Sequence, residues 1–69
     1  MNFTPVESSN IAGIAYDGEG TLHVQFKNGS IYAYQGVPPE KHDELMNAGS
    51  VGSHFNAHIK GNYEYERVQ

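Results

Sequence analysis

Apolar and polar positions alternate most cleanly from Thr21 to Lys27, where Leu22, Val24 and Phe26 interleave with His23, Gln25 and Lys27. That period of two predicts a half-buried antiparallel strand. Asn10 to Asp17 reads as a strand before it, with Ala12, Ile14 and Tyr16 on one face, and Gly18–Thr21 makes the turn between them. Asn28-Gly29 is a strong hairpin signal, and Ser30 to Gln35 follows as a third strand. Consecutive strands with tight turns predict an antiparallel meander.

The period changes after Gly36. Pro39 suits the first turn of a helix, Glu40, Asp43 and Glu44 complement its dipole, and Gly49 is placed to end it. Leu45, Met46 and Ala48 supply its apolar side. Ser50 can cap a second helix, Val51 to Lys60, whose stripe is Val51, Phe55 and Ile59. The tail alternates again, with Tyr63, Tyr65 and Arg67 on one face, and can add an edge strand. The expected architecture is α+β, a single domain over residues 1–69. It is a small antiparallel meander of three to four strands with two short helices on one face.

One register decides the exposure of Tyr32 and Tyr34. A two-residue type I′ loop at Asn28-Gly29 pairs Gln25 with Tyr32 and His23 with Tyr34, which puts both rings on the open face. A three-residue loop with a Gly bulge slips the register by one. Tyr32 then joins Phe26, Tyr34 joins Val24, and both rings face the helices. Turn statistics favour the first; the demand for core in a short chain favours the second.

Sixty-nine residues without cysteine leave a small core with no disulfide and no thiolate zinc site. Self-association into a homo-oligomer is therefore expected. The first ten residues carry no basic cluster or apolar run, and nothing approaches a membrane span, so a cytoplasmic protein is expected. Eight acidic against four basic side chains give a net charge of -4. Bulk charge therefore recruits no polyanion, and such a ligand needs a local pocket.

Few residues have the spacing for chemistry. His54 and His58 are four apart on a helix but lack a third ligand in sequence, so no metal or other cofactor is expected. No serine lies in a nucleophile elbow, and the glycines are scattered among turns, so an enzyme is not expected. The stretch Ser50-x-Gly52-Ser53-x-x-Asn56-x-x-x-Lys60 is more suggestive. A helix start with a serine hydroxyl and a small glycine can hold phosphate, and Asn56 can read a base edge. The competing reading is an N-cap, a packing glycine and a solvated lysine. Tyr16, Tyr63 and Tyr65, or Tyr34 in the open register, are candidate stacking rings, and Arg67 shares the tail's face.

The order of these pieces resembles the KTSC domain, named for its occurrence at the C-terminus of some lysyl-tRNA synthetases, and its stand-alone members. The matching residues begin with Val6-Glu7-Ser8-Ser9, Gly13-Ile14-Ala15-Tyr16-Asp17 and Leu22-His23-Val24-Gln25-Phe26 with Asn28-Gly29. They continue through Tyr32-Ala33-Tyr34, Gly36-Val37-Pro38 and Ala48-Gly49-Ser50-Val51-Gly52. Phe55-Asn56, Ile59-Lys60, Tyr63 and Arg67 complete them. The resemblance implies a compact domain without established catalytic residues, for which RNA binding has been suggested. The expected function is non-enzymatic binding of RNA or a small nucleotide, with an oligomeric sponge for a nucleotide signal as one form. The alternative is a protein-interaction module using the sheet face or the terminal strand edge.

Overall fold

The computed structural model describes residues 2–69. Its strands are β1 (Thr4–Pro5), β2 (Ile11–Tyr16), β3 (Leu22–Phe26), β4 (Ile31–Tyr34) and β5 (Tyr65–Arg67). They form one antiparallel sheet in chain order. Helix α1 (Pro39–Met46) and helix α2 (Val51–His54), which continues as a π turn over Phe55–Ile59, lie between β4 and β5 in the chain. The α+β class is as expected, with five strands instead of three to four. The tail does add its edge strand. The extra strand is β1, two residues ending in Pro5, too short to leave a periodic signature.

The core gathers on one face of the sheet. Ile14, Leu22, Val24 and Tyr34 from the strands meet Leu45, Val51, Phe55 and Ile59 from the helices. Ile11 joins them because the register shifts between Ile11 and Gly13. That bulge reverses the side-chain parity, so Ile11 is buried and Ala12 only half-buried. The alternation that put Ala12 with Ile14 is corrected accordingly.

The hairpin register is the buried one. The tyrosines face the helices, but the slip runs opposite to the expected one. Val24 pairs with Tyr32 and Leu22 with Tyr34, in place of Phe26 with Tyr32 and Val24 with Tyr34. The reason is that the three-residue loop starts at Lys27, where Phe26 N–H donates to the Ser30 carbonyl at 2.9 Å. Tyr32 still meets Phe26, ring edge to face, at 5.6 Å. The loop is Lys27-Asn28-Gly29, and of these only Gly29 has positive φ, at 94°. A type I′ turn needs positive φ at two residues. Asn28 instead bends the loop with its side chain, Oδ1 accepting from Ser30 N–H at 3.0 Å and from Ser30 Oγ at 2.7 Å.

The helices follow the apolar pattern but not the expected ends. Helix α1 stops at Met46 because Asn47 caps it, backbone N–H and Nδ2 both donating to the Asp43 carbonyl, so Gly49 is not the terminator. Val51, Phe55 and Ile59 are all buried. Four-residue spacing overshoots a 3.6-residue turn by ~40° at each step, and the wider π turn takes up the overshoot. Lys60 N–H closes it on the Phe55 carbonyl at 2.9 Å. The β2–β3 turn is held by Asp17, whose Oδ1 accepts from the N–H groups of Glu19, Gly20 and Thr21. Those bonds lower its pKa below the ordinary carboxylate value. Among the described residues no helix is long and apolar enough to cross a membrane.

Candidate functional site

A groove of about 780 Å³ opens between the β3–β4 hairpin, β5 and the π turn. Five rings line it: Phe26, Tyr32, Tyr34, Phe55 and Tyr65. They form one connected cluster. Tyr34 meets Phe55 at 5.3 Å and Tyr65 at 5.4 Å, and Tyr32 meets Tyr65 at 5.7 Å. Phe26 touches Phe55 at 5.9 Å, closing the wall under the π turn. Exposure is graded across the cluster, from Phe55 at 2% and Tyr34 at 4% to Tyr65 at 59%. The inner rings are core, and the outer one stands free to be covered.

The rim is polar. Asn10, Asn28, Asn56, Lys27 and Lys60 border the rings. Two of the chain's four Lys and Arg residues therefore lie on this groove, and among the described residues no Asp or Glu lines it. That is a local cationic field on an acidic molecule, and it acts at contact range, inside a screening length of about 8 Å at physiological salt. Burial, then the neighbouring Tyr65 and Tyr32 hydroxyls, push the Tyr34 hydroxyl above the ordinary tyrosine value, so it stays protonated.

The structure divides the residues expected from sequence to bind a ligand. Asn56, Lys60, Tyr34 and Tyr65 come together in the groove. Tyr34 does so from the buried register, so the open-face route to it does not apply. Ser50, Gly52 and Ser53 lie outside the groove. Ser50 Oγ accepts from Ser53 N–H at 3.4 Å, as an N-cap. A Cβ built on Gly52 would sit 2.7 Å from Ser8 Oγ, so Gly52 packs against the chain entering β2. Tyr63 borders a shallow depression with Glu64 and Tyr65. Arg67, paired across from Tyr32, donates from Nε to the Gln69 carbonyl at 3.0 Å and does not line the groove.

Tyr16 is committed elsewhere. Its hydroxyl donates to the Val37 carbonyl at 2.6 Å, and the His42 ring stacks on it at 4.6 Å and 11°. Burial first, then Asp17, Glu40 and Asp43, raise its pKa above the ordinary value, which keeps that donor in place. The His54 and His58 rings lie 4.4 Å apart, and no third ligating side chain completes a metal site among the described residues. Sequence reasoning missed Phe26, Lys27, Asn28 and Tyr32 as groove residues. For Phe26 and Tyr32 the signal is the three-residue loop, whose register turns both to the same face; Lys27 and Asn28 lie in that loop and carry no signal of their own.

The model of the KTSC domain family matches residues 7–63. The chain belongs to the KTSC domain family. A KTSC domain protein from Yersinia pestis, known from its crystal structure, superposes with a TM-score of 0.90 at 37% identity, covering 99% of this chain and 97% of that one. An uncharacterized protein from Stutzerimonas stutzeri is 39% identical over 70 residues and 99% of both chains. A lysine–tRNA ligase from Nostoc punctiforme is 41% identical over 63 residues, which is 90% of this KTSC domain but only 11% of the ligase.

Proposed function

We propose that this KTSC domain is a non-enzymatic binding module whose ligand is of nucleotide type, RNA or a small nucleotide, held in the aromatic groove. The observation that carries the reading is the composition of the groove: graded rings within, two lysines and three asparagines around them, and no acid among the described residues. Bases stack on exposed tyrosine faces, and lysine pairs with phosphate. The volume of about 780 Å³ is within the range of small-molecule sites. Self-association, expected from the small unstapled core, would multiply such grooves in a sponge.

Strand addition to β5 is the second reading. It is favoured by Tyr65 and Val68, exposed at 59% and 50% on and beside that edge. Salt separates the two. With two phosphate contacts to a single strand, the slope of log affinity against log salt is about −1.4, roughly a sevenfold loss between 50 and 200 mM. Fluorescence anisotropy with a labelled single-stranded RNA should show that slope, and the double variant Lys27→Ala with Lys60→Ala should flatten it. Binding that ignores both salt and the lysines would favour the protein-interaction reading.

A further inference from the structure

Asparagine before glycine is the dipeptide most open to spontaneous deamidation, because glycine leaves the following amide unshielded. Asn28-Gly29 is the only such pair in the sequence. Both residues are exposed, and no other atom crowds the side-chain position at Gly29, so water has access. In the reaction the Gly29 nitrogen gives up its proton and bonds to Asn28 Cγ. The C–N bond of the carboxamide breaks, and ammonia leaves with that proton. Water then opens the succinimide at either carbonyl, leaving an aspartyl or isoaspartyl residue at position 28.

The folded loop ties down both reacting groups. Gly29 N–H donates to the Phe26 carbonyl at 2.9 Å. Asn28 Oδ1 accepts from Ser30 N–H at 3.0 Å and from Ser30 Oγ at 2.7 Å. A backbone N–H only donates, so the atom it meets is the carboxamide oxygen, and the orientation is settled. The anchor is firm, since Ser30 is buried and its own carbonyl holds Phe26 N–H at 2.9 Å. Ring closure has to release the Gly29 proton from Phe26 and turn the carboxamide out of the orientation that Ser30 holds.

The position matters to the groove. Asn28 and Lys27 both line it, and no acid does among the described residues. A carboxylate at position 28 would stand beside Lys27, well inside the screening length of about 8 Å. We propose that Asn28 is a latent modification site: the bonds from Ser30 and to Phe26 keep it as the amide, and its deamidation turns the groove against polyanions. The charge effect rests on the nucleotide reading of the groove; the protection does not.

Peptide mass spectrometry of the domain held at mildly alkaline pH follows conversion at position 28. Folded wild type should convert more slowly than the same protein in urea, on the order of a hundredfold, the rate equivalent of three ordinary hydrogen bonds. Ser30→Ala, with its fold confirmed by circular dichroism, should speed conversion about fivefold, the equivalent of one. Folded wild type converting as fast as the urea-unfolded chain overturns protection, and that comparison needs no variant. Ser30→Ala converting no faster than wild type also overturns it, and slower conversion would mean that the two donors act as an oxyanion hole. The converted protein, separated by anion exchange, should bind labelled single-stranded RNA about two- to fivefold more weakly at low salt, the range of an exposed charge pair. Equal binding overturns the charge effect. No RNA binding by the unconverted protein overturns the nucleotide reading and the charge effect with it, while the conversion rates still decide protection.

Discussion

Tyr34→Ala should destabilise the domain by roughly 3–5 kcal/mol, the usual cost of truncating a buried aromatic to alanine. A chain of this length has a total stability of only about 3–10 kcal/mol, so the variant should lose a third of it or more. The cause is the register of the β3–β4 hairpin. Leu22 faces Tyr34, and the Tyr34 ring fills the space between Phe55 and Tyr65. Removing it opens a cavity beneath the π turn. Tyr34→Phe should be near neutral, which isolates the ring from its hydroxyl. Urea unfolding followed by circular dichroism checks both. A Tyr34→Ala protein melting with the wild type would contradict the packing described here.

Gly52→Ala should cost about 1–3 kcal/mol, as overpacking does. The added methyl would lie 2.7 Å from Ser8 Oγ. That oxygen is not free to swing away, because it accepts from the N–H groups of Asn10 and Ile11, both at 3.2 Å, at the entry to the β2 bulge. Ser8→Ala should cost about 1 kcal/mol for those bonds. Once the oxygen is gone, alanine at position 52 loses its nearest obstacle, and the next Ser8 atom, Cβ, lies at an ordinary 3.8 Å. The double variant should therefore be more stable than the sum of the single losses requires, a coupling of contacting residues. Denaturation midpoints of the four proteins measure it, and strict additivity would show that Ser8 and Gly52 do not meet.

These two sites also show how far the sequence can be read. The alternation in β3 and the stripe of Val51, Phe55 and Ile59 report local burial, and local burial was legible. The Asn28-Gly29 turn was ambiguous, since the same dipeptide serves two loops. What decides between them is the Asn28 side chain bonding to Ser30, together with the tertiary need to bury Tyr32 and Tyr34. The bulge at β2 and the π turn each insert an offset that a fixed period cannot express. Gly52 reads in sequence either as a phosphate cradle or as a packing glycine, and its contact with Ser8 settles it as the latter. No local pattern shows that contact, because Ser8 lies more than forty positions away in the chain. The groove is less legible still: Asn10, Lys27 and Lys60 share no motif, and only the folded sheet and π turn bring them to one rim.

The rim and its rings are the proposed ligand site. Chemical-shift mapping tests it most directly, by titrating isotope-labelled domain with a short single-stranded RNA. The amides of Asn10, Lys27, Asn28, Ser30, Asn56, Lys60, Gly61 and Tyr65, all bordering the groove, should shift together and saturate at one affinity. Shifts confined to Ser50–Ser53 or to the opposite sheet face around Ala15, His23 and Ala33, or no shifts at all, would contradict it.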